Sequence, residues 1–359
     1  MHSSSGEHYI ALDHVRALAA FMVFAWHFTH YSVGYPVPFE YVPSVFPLAL
    51  FDEGHTGVAL FMTLSGYLFA KLLSGKKISF SSFIWNRALR LLPLLAVVLG
   101  LVAIERLMNG DSLAAYAISI VRGALYPTLP NGGWSITTEF HFYLVLPLLL
   151  LLLRRSPMLP VILIAAVMVM RVYILARKGQ IQSLSYWTIV GRIDQFVLGI
   201  LAFHFRSWVT RRHLAVAAIG TLFMTFWWWF DEIGGFYQMP SYPSPSRLWV
   251  VIPTIEGLAY GAVIAWYDTS FHHKPGLTSR CVARFGEYSY SIYLLHVFVV
   301  FGMARVVNEH IMDISNFYVA LAWAVLAFGT MIVPGYLSFR FIESPFLKRR
   351  RKYILDAER

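Results

Sequence analysis

The sequence predicts an all-α integral membrane protein of about ten transmembrane helices with both termini in the cytoplasm. Three observations predict it. Of the 359 residues, 58% are hydrophobic and only 13% are charged, and the mean hydropathy is +0.59; a water-exposed surface of this size would need more charge. The apolar residues fall into runs near the ~20 residues that cross a bilayer as a helix. The basic residues alternate from loop to loop. One set of loops with the C-terminal end holds eighteen Lys and Arg, among them Lys76, Arg87, Arg154, Arg212, Lys274, Arg284, Lys348 and Arg359. The alternate set holds six: Arg106, Arg122, Arg177, Lys178, Arg247 and Arg305. The richer set marks the cytoplasmic face, so the formal charge of +10 points to a membrane surface and not to nucleic acid.

The expected spans are 8–31, 56–74, 83–105, 134–153, 158–176, 187–205, 213–230, 248–267, 288–307 and 316–341. The apolar segment 114–123 is too short to cross and reads as a surface or re-entrant helix. The N-terminus lacks a basic segment and a small-residue cleavage site, so the first span is expected to be retained. Residues 1–347 read as one transmembrane domain and 348–359 as a polybasic cytoplasmic tail, with Lys348–Lys352 suited to a lipid surface. The single cysteine, Cys281, permits no intrachain disulfide. The loops 32–53 and 231–247 are rich in Pro and aromatic residues. They suit stacking on sugar rings, or simply an interfacial aromatic belt.

Polar groups in hydrocarbon are costly, so those inside spans are the candidates for chemistry. The stretch Leu12–His30 carries Asp13, Arg16, His27 and His30. Arg16 and His27 are eleven residues apart, three helical turns plus about 20°, which puts them on one face roughly 16 Å apart. Between them the stripe holds the small residues Ala20 and Val23, which leaves room for a slender ligand. The second span carries Gly57, Ser65 and Gly66, placed for close helix packing. Arg87 and Arg90 are neighbours on one helix face at the cytoplasmic end of the third span. Such a pair can clamp a bound phosphate or touch lipid phosphates. Glu139 enters the membrane in the fourth span and needs a histidine, an arginine or a sugar hydroxyl as partner; Trp134, a turn earlier, can stack on a sugar. Arg192 and Asp194 are two apart and do not face each other, so each meets another helix. Ser289, Tyr293 and His296 share a face of the ninth span. No G-x-S-x-G, H-E-x-x-H or phosphate-loop motif is present, and no Cys/His spacing suggests a metal site.

Five of these stretches, in this order, resemble the acyltransferase-3 family of membrane-bound O-acyltransferases. Leu12-Asp13-His14-Val15-Arg16 with His27 is similar to the family's opening, an Arg and a His separated by ten residues, although His14 stands where a glycine is usual. Gly57-Val58 through Ser65-Gly66-Tyr67-Leu68 resembles the second-helix motif. Arg87-x-x-Arg90-x-x-Pro93 resembles the R-x-x-R-x-x-P motif. Trp134-Ser135 through Glu139 to Phe142-Tyr143 resembles a W-S…E…F-Y run. Gly286 through Ser289-Tyr290, Tyr293-Leu294 and His296 resembles the ninth-helix motif. Beyond these five, Glu343-Ser344-Pro345-Phe346 at the end of the last span resembles the family's E-x-P-F ending.

The resemblance implies an enzyme of the bacterial inner membrane, an O-acetyltransferase or related acyltransferase. It would move an acyl group from cytoplasmic acyl-CoA, typically acetyl-CoA, to a hydroxyl of an exported or surface glycan such as O-antigen or exopolysaccharide, free or lipid-linked. In that reading Arg87 and Arg90 hold the donor and Arg16 orients it or its thioester. His27 is the general base, since imidazole titrates near neutral pH. Glu139 orients the acceptor, and Asp13, Trp134, Tyr293 and His296 contact substrate. Direct transfer and relay through Tyr293 or Ser291 both remain open. A proton-coupled transporter or flippase is the alternative, with His27, Glu139, Asp194 and His296 as a proton path. A non-catalytic membrane sensor is a third reading. The transporter would not consume acyl-CoA, and the sensor would not bind it.

Overall fold

The structure, a computed structural model, describes residues 9–30, 34–273 and 276–355. Met1–His8, the start of the first external loop at Tyr31–Val33, and the basic residues Lys274 and Arg359 lie outside the described residues.

The described chain is almost wholly helical. Its main helices are α1 (Ile10–Thr29), α2 (Gly57–Leu73), α3 (Phe80–Met108), α4 (Leu113–Leu125), α5 (Gly133–Arg155), α6 (Met158–Lys178), α7 (Ile189–His204), α8 (His213–Glu232), α9 (Ile252–Ser270), α10 (Leu277–Glu287), α11 (Ser289–Leu295), α12 (Val300–Val306), α13 (Phe317–Thr330) and α14 (Ile332–Ser338). Two short strands, β1 (Lys77–Ile78) and β2 (Ile354–Leu355), pair antiparallel. By length and composition, seven helices among the described residues are able to cross a membrane. An eighth is formed if Ser289–Phe298 and Val300–Ile311, bent by 58°, count as one span. The protein is therefore an all-α membrane protein, but the expected ten spans are not all present as long apolar helices. Two of them, at 187–205 and 248–267, are helical yet short or polar: α7 has 16 residues, and α9 carries Glu256 and Asp268. The segment 114–123 forms the short apolar helix α4.

The difference has a physical cause. Helices α7 and α9 lie inside the bundle, where protein partners replace lipid. Asp194 of α7 accepts from Arg171 of α6 at 2.8 and 2.5 Å and from Thr254 of α9 at 2.5 Å. Glu256 of α9 accepts from Thr56 and from Gln195 of α7, both at 2.7 Å. Arg192 bonds the Tyr186 carbonyl and Gln195 and lies over the Tyr186 ring at 4.3 Å. Arg192 and Asp194 thus look to different neighbours, as their spacing requires. The outer helices show the opposite pattern. Leu101 and Ile104 of α3, Leu148 of α5, Val169 and Val172 of α6 and Leu222 of α8 are exposed, which fits a lipid-facing surface.

Helix α1 sits between two packed cores. One face joins the large cluster through Leu12, Val15, Ala19, Met22 and Val23; the other joins α12 and α13 through Ala20, Phe24 and Phe28. Close crossings hold the bundle around it. A Cβ on Gly66 of α2 would lie 2.0 Å from the Phe196 carbonyl oxygen of α7, and one on Gly199 would lie 2.0 Å from that of Thr63. The two helices therefore touch backbone to backbone, as small residues allow in membranes. His14 of α1, the departure from the usual glycine, is tied to Tyr267 of α9 at 2.7 Å and to the Ser279 carbonyl of α10 at 2.9 Å.

Candidate active site

A cavity of about 170 Å³ opens between α1, α2, α3, α5 and α11. It gathers residues far apart in sequence. Asp13 and Arg16 come from α1, Ser65 from α2, Arg87 and Arg90 from α3, Ser135, Glu139 and Tyr143 from α5, and Ser289, Tyr290 and Tyr293 from α11. Apolar walls are supplied by Val58, Phe61, Met62, Leu68, Phe69, Leu72 and Leu91. Arg350 and Tyr353 of the C-terminal segment also line it.

The charges in this space are paired unevenly. Arg16 forms an ion pair with the buried Asp13 a turn earlier. Arg90 donates to Glu343 at 2.7 Å, and Ser291 bonds the other oxygen of that carboxylate. Glu139 accepts from Ser65 at 3.0 Å and from Tyr143, its neighbour one turn on. Arg87 lies over the Phe69 ring at 5.2 Å and the Phe83 ring at 5.6 Å, and its buried Nε–H has no acceptor.

The histidines stand apart from the cavity wall. Tyr293 lines the cavity, and its ring centroid is 5.9 Å from that of His296. His296 Nε2 faces His27 Nδ1 at 3.4 Å, with the two rings 4.9 Å apart. His27 Nδ1 is 2.8 Å from the Val23 carbonyl, and His296 Nδ1 is 2.6 Å from that of Tyr293. A carbonyl only accepts, so each Nδ1 carries the hydrogen and each Nε2 keeps its lone pair.

Several expected positions fall elsewhere. Ala20 and Val23 do not leave an open path from Arg16 to His27. Both are buried: Ala20 packs toward α12 and α13, and at Val23 the start of α2 presses on α1, where a Cβ on Gly57 would lie 2.6 Å from the Ala19 carbonyl oxygen and 3.0 Å from Val23 Cγ2. The open space runs along α2, α5 and α11 instead. Trp134 is buried against Trp187 at 4.5 Å and Tyr186 at 5.3 Å, with Arg192 over its ring at 5.4 Å. His30 turns toward the Val37 carbonyl at 3.0 Å and Asp52 at 3.3 Å. Ser291 is fully buried on Glu343, away from the cavity. From the stretch 348–359, expected to be a polybasic cytoplasmic tail, Arg350 and Tyr353 dock on the bundle and β2 pairs with β1, while Lys348, Arg349, Arg351 and Lys352 are exposed.

Sequence reasoning missed Tyr143, Glu343 and Arg350. The i, i+4 spacing of Glu139 and Tyr143 is a signal that could have found the first. Glu343 ends a π-helical turn at Phe339–Glu343 and Arg350 follows it, and no local pattern ties them to α3.

A bundle with seven or eight helices able to cross a membrane among the described residues, enclosing a cavity lined by Arg16, Arg87, Arg90 and Arg350 and by Asp13 and Glu139, is that of a polytopic membrane protein. The chain belongs to the acyltransferase-3 family: the family model described as "Acyltransferase domain" matches residues 9–339. It is a membrane enzyme that transfers acyl groups. Among curated proteins it is similar to "Exopolysaccharide production protein ExoZ" of Rhizobium meliloti (strain 1021). The two are 26% identical over 320 residues, which cover 84% of this chain and 92% of the relative. No solved structure matches.

Proposed function

We propose that the protein moves an acyl group, acetyl above all, from cytoplasmic acyl-CoA to a hydroxyl of an exported or surface polysaccharide, from a multi-pass position in the bacterial inner membrane. The observation that carries this reading is the cavity: arginines at one end, apolar walls along its length, and tyrosine beside a histidine pair at the other end. CoA is a phosphate-rich head on a slender arm ending in a thioester, and the arginines suit its phosphates. The relative's name, which concerns exopolysaccharide production, supports a glycan acceptor.

In this mechanism the acceptor hydroxyl gives its proton to His27 Nε2 while its oxygen attacks the thioester carbonyl. A C–O bond forms, the C–S bond breaks, and the thiolate takes up the proton to leave as free CoA. The charge gained by His27 is shared with His296, whose Nε2 lone pair faces the Nδ1–H of His27. Arg16, held by Asp13, orients the donor. Glu139, held by Ser65 and Tyr143, orients the sugar. Tyr293, on the cavity wall with its ring 5.9 Å from that of His296, marks where the thioester approaches the histidines.

The test is turnover of labelled acetyl-CoA by purified protein in nanodiscs with a pool of surface glycans. Wild type is compared with His27→Ala, Arg87→Ala and Glu139→Ala. Wild type labels glycan and His27→Ala does so only at a small residual rate. A folded wild type that neither binds nor consumes acyl-CoA sinks the reading and favours a transporter.

A further inference from the structure

The C-terminal segment is built into the cavity wall. Tyr353 is fully buried; its ring lies 5.7 Å from Phe83, and its carbonyl accepts from Ser79 N at 2.8 Å. The β1–β2 pair continues that contact. Asn86 of α3, with no exposed surface, holds the backbone of Arg351 from both sides: its Nδ2 donates to the carbonyl at 2.7 Å and its Oδ1 accepts from the N–H at 2.9 Å. A buried side chain that satisfies both the N–H and the C=O of one residue fixes that segment on the bundle. The residue before it, Arg350, is thereby directed into the cavity beside Arg87 and Arg90.

The charge balance there is incomplete. Asp13 neutralises Arg16 and Glu343 neutralises Arg90. Among the described residues neither Arg87 nor Arg350 forms an ion pair of its own, although Glu343 lies near enough to act on the Arg350 charge, and the buried Nε–H of each lacks an acceptor. Burial, with Arg87 and Arg90 close by, pushes the Arg350 guanidinium down to about 10. Two guanidiniums without ion pairs of their own in one partly closed space repel each other, and an anion joining them relieves that repulsion. Guanidinium is the group that binds phosphate through paired hydrogen bonds.

We infer that Arg350 is a phosphate-binding residue of the cavity, acting with Arg87, and that residues 348–355 form a clasp that closes its arginine end over a phosphate-bearing ligand. With CoA as that ligand the inference rests on the donor reading above. The phosphate chemistry itself would equally be met by an anionic lipid headgroup, and the experiment separates the two sources.

The experiment is calorimetric titration of CoA into the full chain in phosphatidylcholine nanodiscs. Arg350→Gln weakens CoA binding by about 10- to 100-fold, the loss expected for a charged hydrogen-bonding partner. Arg350→Lys, which keeps the charge without the fork, loses less. Asn86→Ala, which frees the segment and leaves every arginine in place, weakens binding too. Arg122→Gln, an exposed arginine far along the chain on α4, does not. If Arg350→Gln and Asn86→Ala bind CoA as wild type does while Arg87→Gln does not, Arg350 is no ligand and the inference is overturned. If wild type binds no CoA, the donor reading fails, and thermal unfolding in phosphatidylglycerol against phosphatidylcholine nanodiscs decides the rest. Stabilisation by phosphatidylglycerol that Arg350→Gln abolishes keeps the phosphate site with a lipid as its source. No stabilisation overturns it.

Discussion

His296 gives the sharpest test of the proposed chemistry, because one atom of it is asked to act. Asn at this position reproduces the Nδ1 donor that reaches the Tyr293 carbonyl and lacks the Nε2 acceptor that faces His27. A hydrogen bond to a charged group is worth ~1.5–3 kcal/mol, and the 3.4 Å separation places this one at the lower end. A loss of ~1.5 kcal/mol is a roughly tenfold fall in rate. His296→Asn is therefore expected to lower kcat for acetyl transfer about tenfold. The KM for acetyl-CoA should stay unchanged, because His296 does not line the cavity. The readout that a packing defect would not reproduce is the double-mutant cycle. Once His27 is replaced by Ala, His296→Asn has no imidazolium to stabilise and costs nothing further. Wild-type turnover in His296→Asn, or a full tenfold loss retained in the His27→Ala background, refutes the histidine pair.

Three further outcomes follow from the packing. Tyr143→Phe removes one of the two hydroxyls on Glu139; glycan acylation falls while calorimetric CoA affinity holds, and unchanged acylation would show that Glu139 needs no such support. Asp194→Ala leaves Arg171 buried without its carboxylate, at a cost of about 3–5 kcal/mol. It should fail to accumulate as folded protein, whereas Arg171→Met combined with Asp194→Leu recovers most of the yield. Equal yields for the single and double variants would contradict this. Gly66→Ala inserts a methyl where the Phe196 carbonyl oxygen is 2.0 Å away, which forces α2 from α7 and costs about 1–3 kcal/mol. The thermal midpoint in detergent drops, and an unchanged midpoint would mean that the helices are not in backbone contact.

The membrane class was legible because it depends on composition and run length, both local properties. Seven long apolar helices and the bent eighth lie where apolar runs occur. The spans at 187–205 and 248–267 are present as α7 and α9, and they lack the length or hydropathy of the others for a reason also visible in their residues. Arg192, Asp194, Gln195 and Glu256 belong to helices surrounded by protein, and a helix with protein partners need be neither long nor apolar. Within α1 the face carrying Asp13 and Arg16 was readable from a 100° step. The meaning of the stripe beyond them was not, since the approach of Gly57 closes it.

By itself, the sequence determined which residues are helical, which arginines and carboxylates lie within apolar runs, and the family to which their order belongs. Tertiary structure alone decided their partners. It set Glu343 on Arg90 across 253 positions of chain, His296 against His27 across 269, and Asn86 on the backbone of Arg351 across 265. Helical period fixes direction around one axis, whereas pairing between axes depends on how close two backbones come. That closeness is set by the small residues at each crossing and by the turn after Phe339, and no pattern within a single helix records it.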